Sequence, residues 1–83
     1  MTSIEKYKYF KAKYPKRIIF IKKGSLYRTY GIDIEILKDI FNIKGNTFNI
    51  NNIRKIFDYL KSIDEEYLLI DNNLEITGKL STI

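Results

Sequence analysis

Hydrophobic positions recur along this chain with two different periods, and the places where the period changes mark the elements. Ile4, Tyr7, Phe10 and Tyr14 fall at helical intervals, with Lys6, Lys8, Lys11 and Lys13 between them. Thr2 and Glu5 stand ahead of this run at capping-box spacing, and the residue before Pro15 avoids the α region. An amphipathic helix with a lysine face is predicted, ending before Pro15. From Arg17 to Lys22 the polar half of the pattern disappears: Ile18, Ile19, Phe20 and Ile21 run without a break. Apolar on both faces, this segment reads as a central strand. Lys23-Gly24 supplies a tight turn, and Ser25 to Tyr30 forms the returning strand. Its alternation sets Leu26, Arg28 and Tyr30 on one face and Ser25, Tyr27 and Thr29 on the other.

Gly31 breaks the strand, and Asp33 is the expected N-cap of a second helix carrying Ile36, Leu37, Ile40 and Phe41. That helix is expected to stop around Lys44-Gly45. A short extended piece, Thr47 to Ile50, precedes Asn51-Asn52, either of which can cap a third helix. Ile53, Ile56, Phe57, Leu60 and Ile63 give that helix the clearest amphipathic pattern in the chain. Glu66 to Asp71 and Leu74 to Lys79 flank Asn72-Asn73, a turn pair tolerant of left-handed φ, and read as a hairpin. The order helix, hairpin, helix, strand, helix, hairpin predicts an α+β fold. It should be a mixed β-sheet of about five short strands flanked by three α-helices. Ile19, Ile21, Phe41, Ile56, Phe57, Leu60 and Leu69 are its expected core.

At 83 residues the chain has room for a single domain spanning 1–83. With 45% hydrophobic and 14% aromatic residues it is far from the composition of a disordered chain. Cysteine and histidine are both absent. That excludes disulfides, thiolate metal sites, and every Ser-His or Cys-His arrangement. The segment Met1 to Tyr9 has no signal-peptide h-region, and the apolar runs are far too short to span a bilayer. Cytoplasm is the expected location, with no membrane partner and no cofactor.

Charge sharpens the picture. Residues 1–30 carry nine Lys/Arg against Glu5 alone, whereas residues 31–83 carry six against nine acids. A basic half of this kind is the electrostatic footprint expected for an anionic partner. The abundance of Ile, Lys, Asn and Tyr also fits an AT-rich coding sequence, which raises lysine everywhere, so charge alone leaves the question open. The acids offer no counter-reading as a nuclease: Glu75 is followed by Ile76-Thr77 and Asp33 by Ile34-Glu35, not by an acid-x-Lys pattern. Gly78-Lys79 resembles the end of a P-loop, but Asn73 stands where the first glycine belongs and Leu80 where a magnesium-binding hydroxyl should be. Ser25, Ser62 and Ser81 have no histidine to activate them. The acids are expected at helix starts and on solvated faces, and no enzyme activity is expected.

The stretch Tyr14 to Asp33, YPKRIIFIKKGSLYRTYGID, resembles the start of the MutS family of DNA mismatch-repair proteins. Tyr14-Pro15, the strand Ile18 to Ile21, Gly24, Tyr27, Tyr30 and Asp33 fall in the family's register without a gap. The apolar spacing of Ile36, Leu37, Ile40, Phe41 and Ile43 continues it, and Ile53 to Ile63 followed by Tyr67 to Ile70 is similar to a later helix and strand. Asp71-Asn72 stands where a Glu-Gln pair is usual, and the family's glycine- and proline-containing loop is reduced to Gly45 to Asn52.

The resemblance implies the fold of the N-terminal mismatch-recognition domain and a double-stranded DNA partner. Its departures fall on the functional positions: Leu26 replaces the wedge phenylalanine, Arg28 the base-contacting glutamate, and Ser25 an aspartate. The connector, lever, clamp and ATPase domains have no room in 83 residues, so mismatch repair by this chain alone is not expected. The resulting expectation is a non-catalytic DNA-binding or accessory module with little mismatch discrimination. Lys22, Lys23 and Arg28 would contact phosphates, with Lys16 and Arg17 behind them, while Leu26 would probe the helix. The rival expectation is a protein-interaction module that kept the fold without binding DNA.

Overall fold

The computed structural model describes residues 2–71 and the backbone of residues 76–80. Its elements are α1 (Ser3–Lys13), β1 (Ile18–Lys23), β2 (Leu26–Arg28), α2 (Gly31–Ile40), β3 (Thr47–Phe48), α3 (Ile50–Ser62), β4 (Tyr67–Ile70) and β5 (Ile76–Leu80). The strands form one sheet in the order β3-β2-β1-β4-β5. β1 pairs antiparallel with β2 and parallel with β4, so the α+β fold with a mixed sheet is the one the pattern predicts. The turn expected at Asn72-Asn73, and Leu74 with it, lie outside the described residues.

β1 is central because its side chains are apolar in both directions. Ile18 and Phe20 enter a cluster with Ile34 and Leu37 of α2 and Ile53, Ile56 and Leu60 of α3. Ile19 and Ile21 enter the opposite cluster with Tyr7 and Phe10 of α1, joined by Leu68 and Ile70 of β4. The parallel register, Ile18↔Tyr67 through Ile21↔Ile70, keeps the two alternations in phase. A parallel pair needs a long crossover, which α2, β3 and α3 provide. The sheet therefore has α1 on one face and α2 with α3 on the other.

The first helix starts as its sequence dictates. The Glu5 amide donates to Thr2 Oγ1 at 3.2 Å, and the Thr2 amide donates to Glu5 Oε1 at 2.8 Å, closing the capping box. The second and third helices differ from expectation at their ends. α2 begins at Gly31 behind Tyr30, so Asp33 is inside its first turn and is not the N-cap. It ends at Ile40, because Phe41 turns to an extended conformation (φ −117°, ψ 147°), well before Lys44-Gly45. α3 is capped by Asn49, whose Oδ1 accepts from the Asn52 amide at 2.9 Å, and not by Asn51 or Asn52. Ile19, Ile21, Ile56 and Leu60 are buried as expected, while Phe41, Phe57 and Leu69 are half-buried against the core. Ile63, read as part of the apolar face of α3, is exposed.

Asp33 is fully buried rather than on a solvated face. Its carboxylate accepts from Lys11 Nζ at 2.8 Å and from the Ile19 amide at 3.0 Å. Lys11 also donates to the Arg17 carbonyl at 2.7 Å, so one acid ties α1, β1 and α2 together. The nearby Tyr7 hydroxyl makes no hydrogen bond of ordinary geometry. Burial first, and the Asp33 charge second, push its pKa far above the usual phenol value, so it stays protonated.

Candidate nucleic-acid interface

The β1–β2 hairpin turns at Gly24, whose φ of 62° suits a residue without a side chain. Its register places Lys23 opposite Leu26, Lys22 opposite Tyr27, and Ile21 opposite Arg28. Paired residues share a face, and Ile21 packs in the α1 cluster. Lys23, Leu26 and Arg28 therefore stand together on the α1 face. Lys22 and Tyr27 are on the other, where the Lys22 ammonium lies 5.9 Å from the centre of the Tyr27 ring. Leu26 is 38% exposed at the hairpin end. Arg28 is half-buried, and its Nε is enclosed without a hydrogen-bond partner among the described residues. Neither Lys23 nor Arg28 takes part in an ion pair among the described residues.

Lys16 and Arg17 stand at the opposite end of β1, roughly 20 Å from Lys22 and Lys23 at about 3.3 Å per strand residue. Lys16 is exposed in the turn after Pro15. Arg17 is partly occupied: its Nε donates to Glu66 Oε2 at 2.9 Å and its guanidinium lies 5.5 Å from the Tyr14 ring centre, while its Nη1 is enclosed without a hydrogen-bond partner among the described residues. Of the six residues singled out from the sequence, three converge on one surface. One lies across the sheet and two lie at its far end.

Lys8 and Lys13 of α1 are exposed, and α1 covers the same face that carries Leu26 and Arg28, with Lys13 at the far end, 5.9 Å from the centre of the Tyr14 ring that Arg17 also meets. The lysine face of this helix is visible in the sequence. Its place on the hairpin's side of the sheet follows only from the sheet topology, because the α1–β1 connection alone does not say which face α1 covers. Glu5, the acid of α1, is held in its own capping box. The side of the protein carrying the hairpin residues thus has cations from two elements.

Among the described residues no group of three or more acidic, histidine or cysteine side chains could hold a metal ion. No helix there is long and apolar enough to cross a membrane. What remains is a small α+β module whose sheet extends a short basic hairpin tipped by a leucine. The family model described as MutS domain I matches residues 1–57, from α1 into α3, and the chain belongs to that family. The hairpin and the Asp33 network lie inside the matched region, and β4 and β5 lie beyond it. No curated protein and no solved structure gives a match to the chain.

Proposed function

We propose that this MutS domain I module binds double-stranded DNA without catalysing a reaction, through the face formed by Lys23, Leu26 and Arg28. The observation that carries the reading is the cluster itself: an exposed leucine between two cations, neither of them ion-paired among the described residues, with Arg28 Nε unpartnered there too. A phosphate oxygen would satisfy the Arg28 Nε donor. Lys8 adds an exposed cation on the same side of the sheet.

Duplex binding through three or four phosphates makes log K fall against log salt with a slope of about −3 to −4. Lys23→Ala with Arg28→Ala should weaken binding to every sequence alike and flatten that slope by about two. Lys22→Ala, on the opposite face, should change it less than Lys23→Ala does. The check is fluorescence anisotropy with a labelled duplex over a salt series. Binding that ignores salt, or none at about 50 mM salt, favours the protein-interaction reading.

Mismatch discrimination should be weak. The family resemblance places at this hairpin an aromatic wedge and a carboxylate that accepts a hydrogen bond from the base. Leu26 has no π-face, and base–aromatic stacking is worth roughly 1–3 kcal/mol. Arg28 has only donors and cannot accept from a base. No neighbouring ring replaces the missing one: Tyr27 is buried on the α2 and α3 face, and Tyr30 packs against Tyr7 at 5.6 Å. A preference below about fivefold, near 1 kcal/mol, is expected for G·T or single-unpaired-T duplexes over matched DNA at equal salt. A preference of about fiftyfold or more contradicts this.

A further inference from the structure

Beyond the hairpin, the end of α2, the edge strand β3 and the start of α3 enclose a recess of about 330 Å³, open on one side. Its volume is at the lower end of the roughly 300–1,000 Å³ typical of small-ligand sites. Phe48 and Ile56, both buried, and the half-buried Phe41 and Ile43 give it an apolar lining. Phe41 is braced by an edge-to-face contact with Tyr59, ring centres 5.2 Å apart. Lys44 and Lys55 reach the same recess, no acidic residue lines it, and neither lysine is ion-paired among the described residues. Asn42 and Asn52 add amide groups that both donate and accept hydrogen bonds.

We infer that this recess is a binding site for a mononucleotide. The two lysines match a phosphate, the phenylalanines and isoleucines match the face of a base, and the asparagine amides match its mixed donor and acceptor edge. An acidic peptide would use the lysines, but its carboxylate side chains bring no flat apolar face for the phenylalanines and isoleucines. β3, with only Thr47–Phe48, is also too short to pair with an extended segment. The site is independent of the duplex-binding reading, because it shares no residue with the hairpin face.

The test is a titration of the full chain with thymidine 5′-monophosphate, followed by amide nitrogen–proton correlation spectra. Thymidine and inorganic phosphate serve as separate controls. Amides of residues 41–48 and 52–56 should shift and saturate with the nucleotide. Each control should bind those residues about tenfold more weakly or less, because each supplies half of the recognition. Lys44→Ala with Lys55→Ala, both at exposed positions, should weaken nucleotide binding about tenfold and leave the Lys23 and Arg28 amides unchanged. Absence of saturable shifts at about 1 mM nucleotide overturns the inference. So does equal binding of phosphate alone, an unaffected double variant, or an acidic peptide occupying these residues where the nucleotide does not.

Discussion

Asp33→Ala is expected to remove about 3–5 kcal/mol of stability, measured by urea denaturation, the loss characteristic of breaking a buried ion pair from one side. Asp33 is fully buried, and its carboxylate serves both Lys11 Nζ and the Ile19 amide. Alanine leaves the amide of Ile19, fully buried in the central strand, without its acceptor. It also leaves Lys11 with the Arg17 carbonyl as its remaining partner. Lys11, with 20% of its side chain exposed, can turn partly into solvent, which limits the loss on its side. Asp33→Asn separates the two contributions: its side-chain oxygen can still accept from Ile19, so it should cost roughly 1–3 kcal/mol. A domain of this length has a total stability of roughly 4–12 kcal/mol. Alanine should therefore bring it close to unfolding. Equal and small losses for both variants would show that the carboxylate is not the joint between α1, β1 and α2.

Leu60→Ala should cost roughly 2–5 kcal/mol, from lost apolar contacts and the cavity left behind. Leu60 is completely buried in α3 and packs in the cluster with Ile18, Phe20, Ile53 and Ile56. The rings beside it are interlocked: Phe57 stacks on Tyr67 at 4.3 Å and meets Phe20 edge-on at 5.1 Å. Interlocked rings cannot easily collapse into the space, so the cost should fall in the upper half of that range. The midpoint of urea unfolding should drop with little change in slope, because the surface exposed on unfolding hardly changes. A near-neutral result would mean that α3 does not pack on the sheet as described.

The elements were legible because their patterns are strong and local. The unbroken Ile18–Ile21 run announces a strand buried on both faces, and that is how β1 sits between α1 and the pair α2 and α3. The spacing of Ile53, Ile56 and Leu60 announces α3 in the same way. The errors fall where a residue has two good local roles and a distant partner chooses between them. Asp33 has the chemistry of an N-cap, yet Lys11, 22 residues earlier, and the Ile19 amide bury it instead. Arg17 reads as a free cation until Glu66, 49 positions on, folds against it. Asn49, Asn51 and Asn52 can all cap, and only the extended backbone at Asn49 selects it. The split of Lys22 from Lys23 was available in the sequence, since neighbours in a strand point to opposite faces. In β1 the unbroken apolar run Ile18 to Ile21 hides that alternation, because both faces are apolar.

The central claim is that duplex DNA meets the protein at the hairpin face. Its most direct test is a titration of the full chain with a matched duplex at about 50 mM salt, followed by amide nitrogen–proton correlation spectra. Saturable shifts centred on Lys23 to Arg28 are expected, and they should fade as salt rises. The amides of α3 and of residues 41–44 should stay in place. Shifts centred on α3 or on residues 41–44, or no shift at all, would contradict the claim.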